Sequence, residues 1–182
     1  SAVSGGAGVT RIAWASVGLL LTVSALLGQA TETPLARLRI EPKKVGWDSV
    51  ELGMSLVQTE RRVGLTLALR PGVAGRCGAY GVDIDRGTLR LSLGFPSPKP
   101  GAKLESLYVN FEGYQVLAKR VDLVAELKRV APQASYFPDP RFPDLREEEA
   151  ADPTYELPGE GGWAVRIEPG RGLLLTMRSC IG

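Results

Sequence analysis

The side chains of this chain best suited to chemistry are few. Cys77 and Cys180 are its two cysteines. Phe137, Phe142 and Tyr155 share one Pro-rich stretch with Glu147, Glu148, Glu149 and further acids. Two thiols can form a disulfide where the compartment is oxidising, and otherwise stand as two buried thiols. Without histidine or a Cys-x-x-Cys spacing, metal binding and redox catalysis are poor expectations. Aromatics set among acids can anchor a partner protein while the carboxylates select a basic surface, or can simply lie on a solvated loop.

Histidine is absent from the 182 residues. That removes Ser-His-Asp and Cys-His nucleophile activation, imidazole acid–base work and His-containing zinc sites. No phosphate-binding glycine loop and no Gly-x-Ser-x-Gly elbow occurs. Asp83, Asp85 and Gly87 look like the opening of a calcium loop, but Gly94 stands where the bidentate Glu belongs, so a polar turn is expected there. No enzyme activity, cofactor or metal is expected, although carboxylate pairs leave room for a small hydrolase.

The compartment is read from residues 1–30. Arg11 precedes an apolar run from Ile12 to Leu27, and Gly28 and Ala30 have the spacing of a signal-peptidase site. This is the order of a secretory signal. The competing reading is a retained anchor, because Ile12 to Thr31 carries no charge over 20 residues. At about 1.5 Å per residue a helix of that length just crosses a hydrocarbon core of roughly 30 Å. Only Arg11 of the 22 basic residues and none of the 20 acids lies in 1–30, so the remainder carries net charge +1. That balance argues against nucleic acid as a partner.

The elements that must position these side chains follow from patterning. Residues 31–182 are long enough for one domain. Ala36 to Glu41 alternates as a half-buried strand does. Ser55 with Gln58 three residues on is a capping box, and Gly64 fits a left-handed helix end, so 56–63 is predicted as a helix. Leu65, Leu67 and Leu69 suggest an extended segment ended by Pro71-Gly72. Hairpins are expected around Arg86-Gly87 and Pro169-Gly170, with a strand through Leu107, Val109 and Phe111 between them. A second helix over 122–130 presents Val121, Val124, Leu127 and Val130 on one stripe. A long acidic, Pro-rich loop is predicted over 137–162, and Trp47 and Trp163 are expected in the core. Tyr80 to Leu93 and Trp163 to Met177 repeat aromatic, Val, Ile, acid and Gly in one order. The fold class is therefore α+β, an antiparallel sheet with two short helices; the repeat reads either as two tandem helix-plus-hairpin units or as the general likeness of two amphipathic hairpins.

Leu52-Gly-Met-Ser55, with Gln58 and Gly64, resembles the helix entry of the β-lactamase-inhibitor-protein-like fold, shared by small outer-membrane-assembly lipoproteins of bacteria. The resemblance implies tandem helix-plus-sheet units, export, and action by binding other proteins. It carries no binding residue across. The expectation is an exported, periplasmic or secreted protein that binds a protein partner of the cell envelope without catalysis. The alternatives are a single-span accessory subunit of a membrane complex, anchored by residues 12–30, and the carboxylate-dependent hydrolase.

Overall fold

The computed structural model describes residues 34–71, 77–87, 89–111 and 120–181. The signal or anchor segment over 1–30 lies outside them. The described residues hold two α-helices, a three-stranded antiparallel sheet and an eight-stranded antiparallel sheet. The α+β class expected from patterning is the one observed.

Helix α1 (Leu56–Val63) is set by its local chemistry at both ends. The Ser55 hydroxyl accepts from the Gln58 N–H at 3.2 Å, and the Gln58 side chain accepts from the Ser55 N–H at 2.9 Å. Gly64, at φ 73°, donates its N–H to the Glu60 carbonyl at 2.8 Å. Further orphan donors of the first turn are met from outside: Leu56 and Val57 donate to the carbonyls of Ala102 and Pro100. The turn at 97–102 is thereby docked on the start of α1. Leu56, Thr59 and Val63 form its buried face. Ser55→Ala removes one half of the box and is expected to lower unfolding free energy by about 1 kcal/mol. An unchanged urea midpoint would contradict it.

The small sheet comprises β1 (Leu38–Glu41), β2 (Lys44–Trp47) and β3 (Val50–Glu51). It supplies Val45, Trp47 and Val50 to the core. The large sheet has the order β4-β5-β6-β7-β11-β10-β9-β8. Its first half is β4 (Arg70–Pro71), β5 (Tyr80–Arg86), β6 (Leu89–Phe95) and β7 (Ser106–Asn110). Its second half is β8 (Ser135–Tyr136), β9 (Thr154–Glu156), β10 (Trp163–Glu168) and β11 (Gly172–Met177). Helix α1 precedes the first half and α2 (Arg120–Val130) precedes the second. Two helix-plus-meander units thus meet at the β7–β11 pair.

Sequence patterning foresaw tandem units, and the topology corrects their detail. The hairpins with similar sequences are β5–β6 and β10–β11. The first occupies strands two and three of its unit, the second strands three and four. Their likeness is that of two amphipathic hairpins rather than of equivalent positions in the fold.

Residues of one parity face the helices. Register aligns Leu93, Leu107, Leu175, Val165 and Tyr155 across β6, β7, β11, β10 and β9, and all five are buried. Helix α2 packs on β10 and on the 34–37 turn. Leu123 and Leu127 are its fully buried residues, and Val124 and Val130 are partly buried. The buried stripe therefore centres on Leu123–Leu127, and the side chain of Val121 lies outside the described residues. Trp47 is buried as expected, whereas Trp163 is half-buried against the core's margin. Along the extended 65–69 segment Leu65 is exposed, Leu67 is buried and Leu69 is partly buried.

Candidate functional site

Cys77 and Cys180 form a disulfide, with Cα atoms 5.5 Å apart and a sequence separation of 103. The bond joins two segments that lie at one end of the large sheet. Register aligns Gly81, Gly94, Ser106, Thr176 and Ala164 across that end, on the face opposite the helices. These side chains are small, and the chain approaches closely there. A Cβ on Gly78 (φ 81°) would sit 2.8 Å from the Gly94 Cα. The Gly78 N–H donates to Glu105 Oε2 at 3.3 Å. On the other side Arg178 reaches Glu156 at 2.8 Å and stacks over the Phe137 ring at 4.7 Å. A disulfide suggests a non-cytoplasmic compartment. Among the described residues no helix is long and apolar enough to cross a membrane.

The loop expected over 137–162 is shorter than its sequence suggested. Thr154–Glu156 is strand β9, paired with β8 on one side and β10 on the other. The irregular segment is therefore 137–153. It is pinned at several points instead of standing free. The Phe137 N–H donates to the Thr154 carbonyl, and the Tyr136 hydroxyl donates to the Leu145 carbonyl at 3.0 Å. Wrapping an irregular segment around this edge covers the short strand β8.

The three aromatics separate. Tyr155 is 0% exposed on β9 and makes an edge-on contact with the Tyr136 ring. Its hydroxyl donates to Glu147 Oε1 at 3.1 Å. Tyr155 is a core residue and cannot be an anchor on the loop surface. The period-2 pattern of a three-residue strand is too short to reveal this. Phe137 is half-buried beneath Arg178. Phe142 is 59% exposed and shares with Leu65, at 51%, the distinction of being an exposed large apolar side chain among the described residues.

The acids separate as well. Glu147 accepts from Lys128 of α2 at 2.7 Å, and Glu148 and Glu149 lie 3.4 and 2.6 Å from Arg146. Asp152 lies 3.9 Å from Arg171. Each acid of the Glu147–Glu149 run therefore has a cation within the protein, although Glu148 and Glu149 share Arg146, and this weakens the run as a selector of basic partners. Asp139 opens a turn, Asp139-Pro-Arg-Phe142, closed by the Phe142 N–H on the Asp139 carbonyl at 2.8 Å. Its carboxylate accepts from Arg141 Nε at 3.0 Å and from the Arg141 N–H at 2.9 Å. Those side-chain bonds first, then the backbone bond, hold the Asp139 carboxyl down to about 2, with the charges of Arg141 and Arg166 adding and desolvation opposing.

A folded-state value below the free one stabilises the turn above the free value, and the support is lost as pH falls through the folded one. The turn is expected to hold at pH 4 and to loosen as pH falls towards 2. The Phe142 and Arg141 amide signals in a pH titration report this, and a midpoint at or above 3.8, the ordinary carboxyl value, would contradict it.

The turn borders a cleft of about 240 Å³. Phe142, Leu145 and Ile181 give it apolar walls, and Arg166 and Thr154 project into it from β10 and β9. The Arg166 Nε donates to Thr154 Oγ1 at 3.3 Å. No family model, curated protein or solved structure matches this chain. The site is therefore read from its own geometry. Sequence patterning did not select Arg166, Arg178 or Lys128. On β10 Arg166 lies between the buried Val165 and Ile167, and nothing local shows that 137–153 folds beside it.

Proposed function

We propose that this chain is an exported protein of a bacterial cell envelope and acts by binding another protein, without catalysis. The observation that carries the reading is Phe142. A tight Asp-Pro turn holds it outward, more than half exposed, beside a formed cleft. An exposed large aromatic on a fixed turn is a natural anchor for a partner's surface, because little conformational freedom remains to be lost on binding. Phe137, half-buried, is a secondary contact. Glu148 and Glu149 lie at the margin, where paired charges affect association rate more than affinity. The disulfide supports export, and the succession of two helix-plus-meander units supports kinship with the β-lactamase-inhibitor-protein-like fold.

Phe142→Ser is the test. The protein captured from its native envelope by the wild-type chain is expected to be lost with this variant, while the thermal midpoint shifts by no more than a surface substitution allows. Capture unchanged by Phe142→Ser would contradict the assignment. Export is tested on the same material: the native N-terminus is expected at Thr31. A native protein that retains Trp14 would favour the anchored accessory subunit instead.

A further inference from the structure

The cleft beside Phe142 is lined by two carboxylates, Asp139 and Asp152, and two guanidiniums, Arg141 and Arg166. Both lining carboxylates have a cation closer than Arg166. Asp139 is bound by Arg141, Asp152 lies near Arg171, and Glu156 is bound by Arg178. Arg166 acts on Asp139 through its charge but holds no ion pair of its own. Among the described residues no carboxylate lies within 4.0 Å of its guanidinium, and its single hydrogen bond runs from Nε to Thr154 Oγ1. A guanidinium has five N–H donors in a rigid fork, so the terminal nitrogens of Arg166 retain unused donor capacity. That edge matches a carboxylate, which accepts two parallel bonds.

We propose that this cleft binds the C-terminal carboxylate of a partner chain whose last residue is apolar, with Arg166 as the anion-binding group. The inference rests on the protein-binding reading of the same loop. Two features select this ligand. Arg166 lines the cleft with unused N–H donors, and the complement of that fork is one carboxylate. Apolar walls from Phe142, Leu145 and Ile181 stand within the same 240 Å³. A chain end carries its carboxylate and its last side chain on one Cα, and so presents both chemistries within a small volume. An internal Glu or Asp carries its carboxylate at the end of its own side chain. Its apolar neighbour must then come from another residue, on a backbone that continues past the site.

Three peptides test the proposal by NMR titration of the intact, oxidised protein. They are acetyl-Ala-Ala-Leu with a free carboxylate, the same peptide as its amide, and acetyl-Ala-Leu-Glu-amide. The first is expected to saturate below about 10 mM, to move the Arg166 side-chain N–H signal and the 139–145 amides, and to bind about tenfold tighter than the other two. Arg166→Gln is expected to abolish that tenfold preference, and Arg166→Lys to keep part of it, since an ammonium retains charge without the fork. The disulfide and the unchanged amide spectrum of the sheet report that each variant is folded.

Equal binding of the amide, equal binding of the glutamate peptide, no saturation, or an unaltered preference in Arg166→Gln would each overturn the proposal. If the carboxylate peptide fails while Phe142→Ser still abolishes capture, the carboxylate site is wrong and the binding role of the loop stands. If capture also survives Phe142→Ser, both fail.

Discussion

Replacing Cys77 and Cys180 by serine is expected to lower unfolding free energy by about 4 kcal/mol and the thermal midpoint by roughly 10 °C. The size follows from the sequence separation of 103 between the two cysteines, a loop that the bond closes in the unfolded chain. The native structure adds a reason of its own. The bond joins the segment crossing Gly94 to the C-terminal segment that reaches Glu156 and Phe137. Strands β7, β11 and β10 lie between Gly94 on β6 and Glu156 on β9 in the sheet. Without the link, both segments are held by single hydrogen bonds and ion pairs that are largely exposed. Parallel melts of the oxidised protein, the reduced protein and the double variant measure the effect. Reduced protein melting with oxidised protein would show that the bond contributes nothing.

Tyr155→Ala is expected to cost about 3–5 kcal/mol, the range for removing a large aromatic from a packed interior. Tyr155→Phe is expected to cost about 1 kcal/mol or somewhat more, because it removes the hydroxyl and leaves Glu147 with one donor fewer. The residue occupies the central buried row of the sheet, opposite Val165 on one side and Tyr136 on the other. Urea unfolding of the two variants separates packing from hydrogen bonding. Near-wild-type stability of Tyr155→Ala would return the residue to the surface and undo the description of β9.

Legibility followed the range of the interactions involved. Helix α1 could be read to the residue, because Ser55, Gln58 and Gly64 act on backbone groups three or four positions away. Both long hairpins were legible for the same reason: Gly87 and Gly170 adopt φ of 65° and 73° at their turns. The disulfide needed one assumption about compartment and nothing about topology. By contrast β9 is a three-residue strand between Pro153 and Pro158, with prolines and acids preceding it. Its pairing with β8 and β10 defines it, and that pairing is not local. The same holds for the acid run. Glu147 reads as a solvated charge until Lys128, from a helix 19 residues earlier, arrives beside it. Arg166 sits between the buried Val165 and Ile167 on β10, and its meaning depends on a turn that folds back from 139–142. Short-range chemistry was legible, and the site, which long-range placement assembles, was not.

The central claim is that the 139–142 turn is a partner-binding surface. Leu65 offers an internal comparison, since it is exposed to a similar degree, at 51% against 59% for Phe142, on a different part of the molecule. A photo-crosslinking side chain is placed at position 142 in one variant and at position 65 in another, each expressed at native level in its own host. After illumination, the account predicts one discrete protein adduct from position 142 and none from position 65. No adduct from position 142, or the same adducts from both positions, would contradict it.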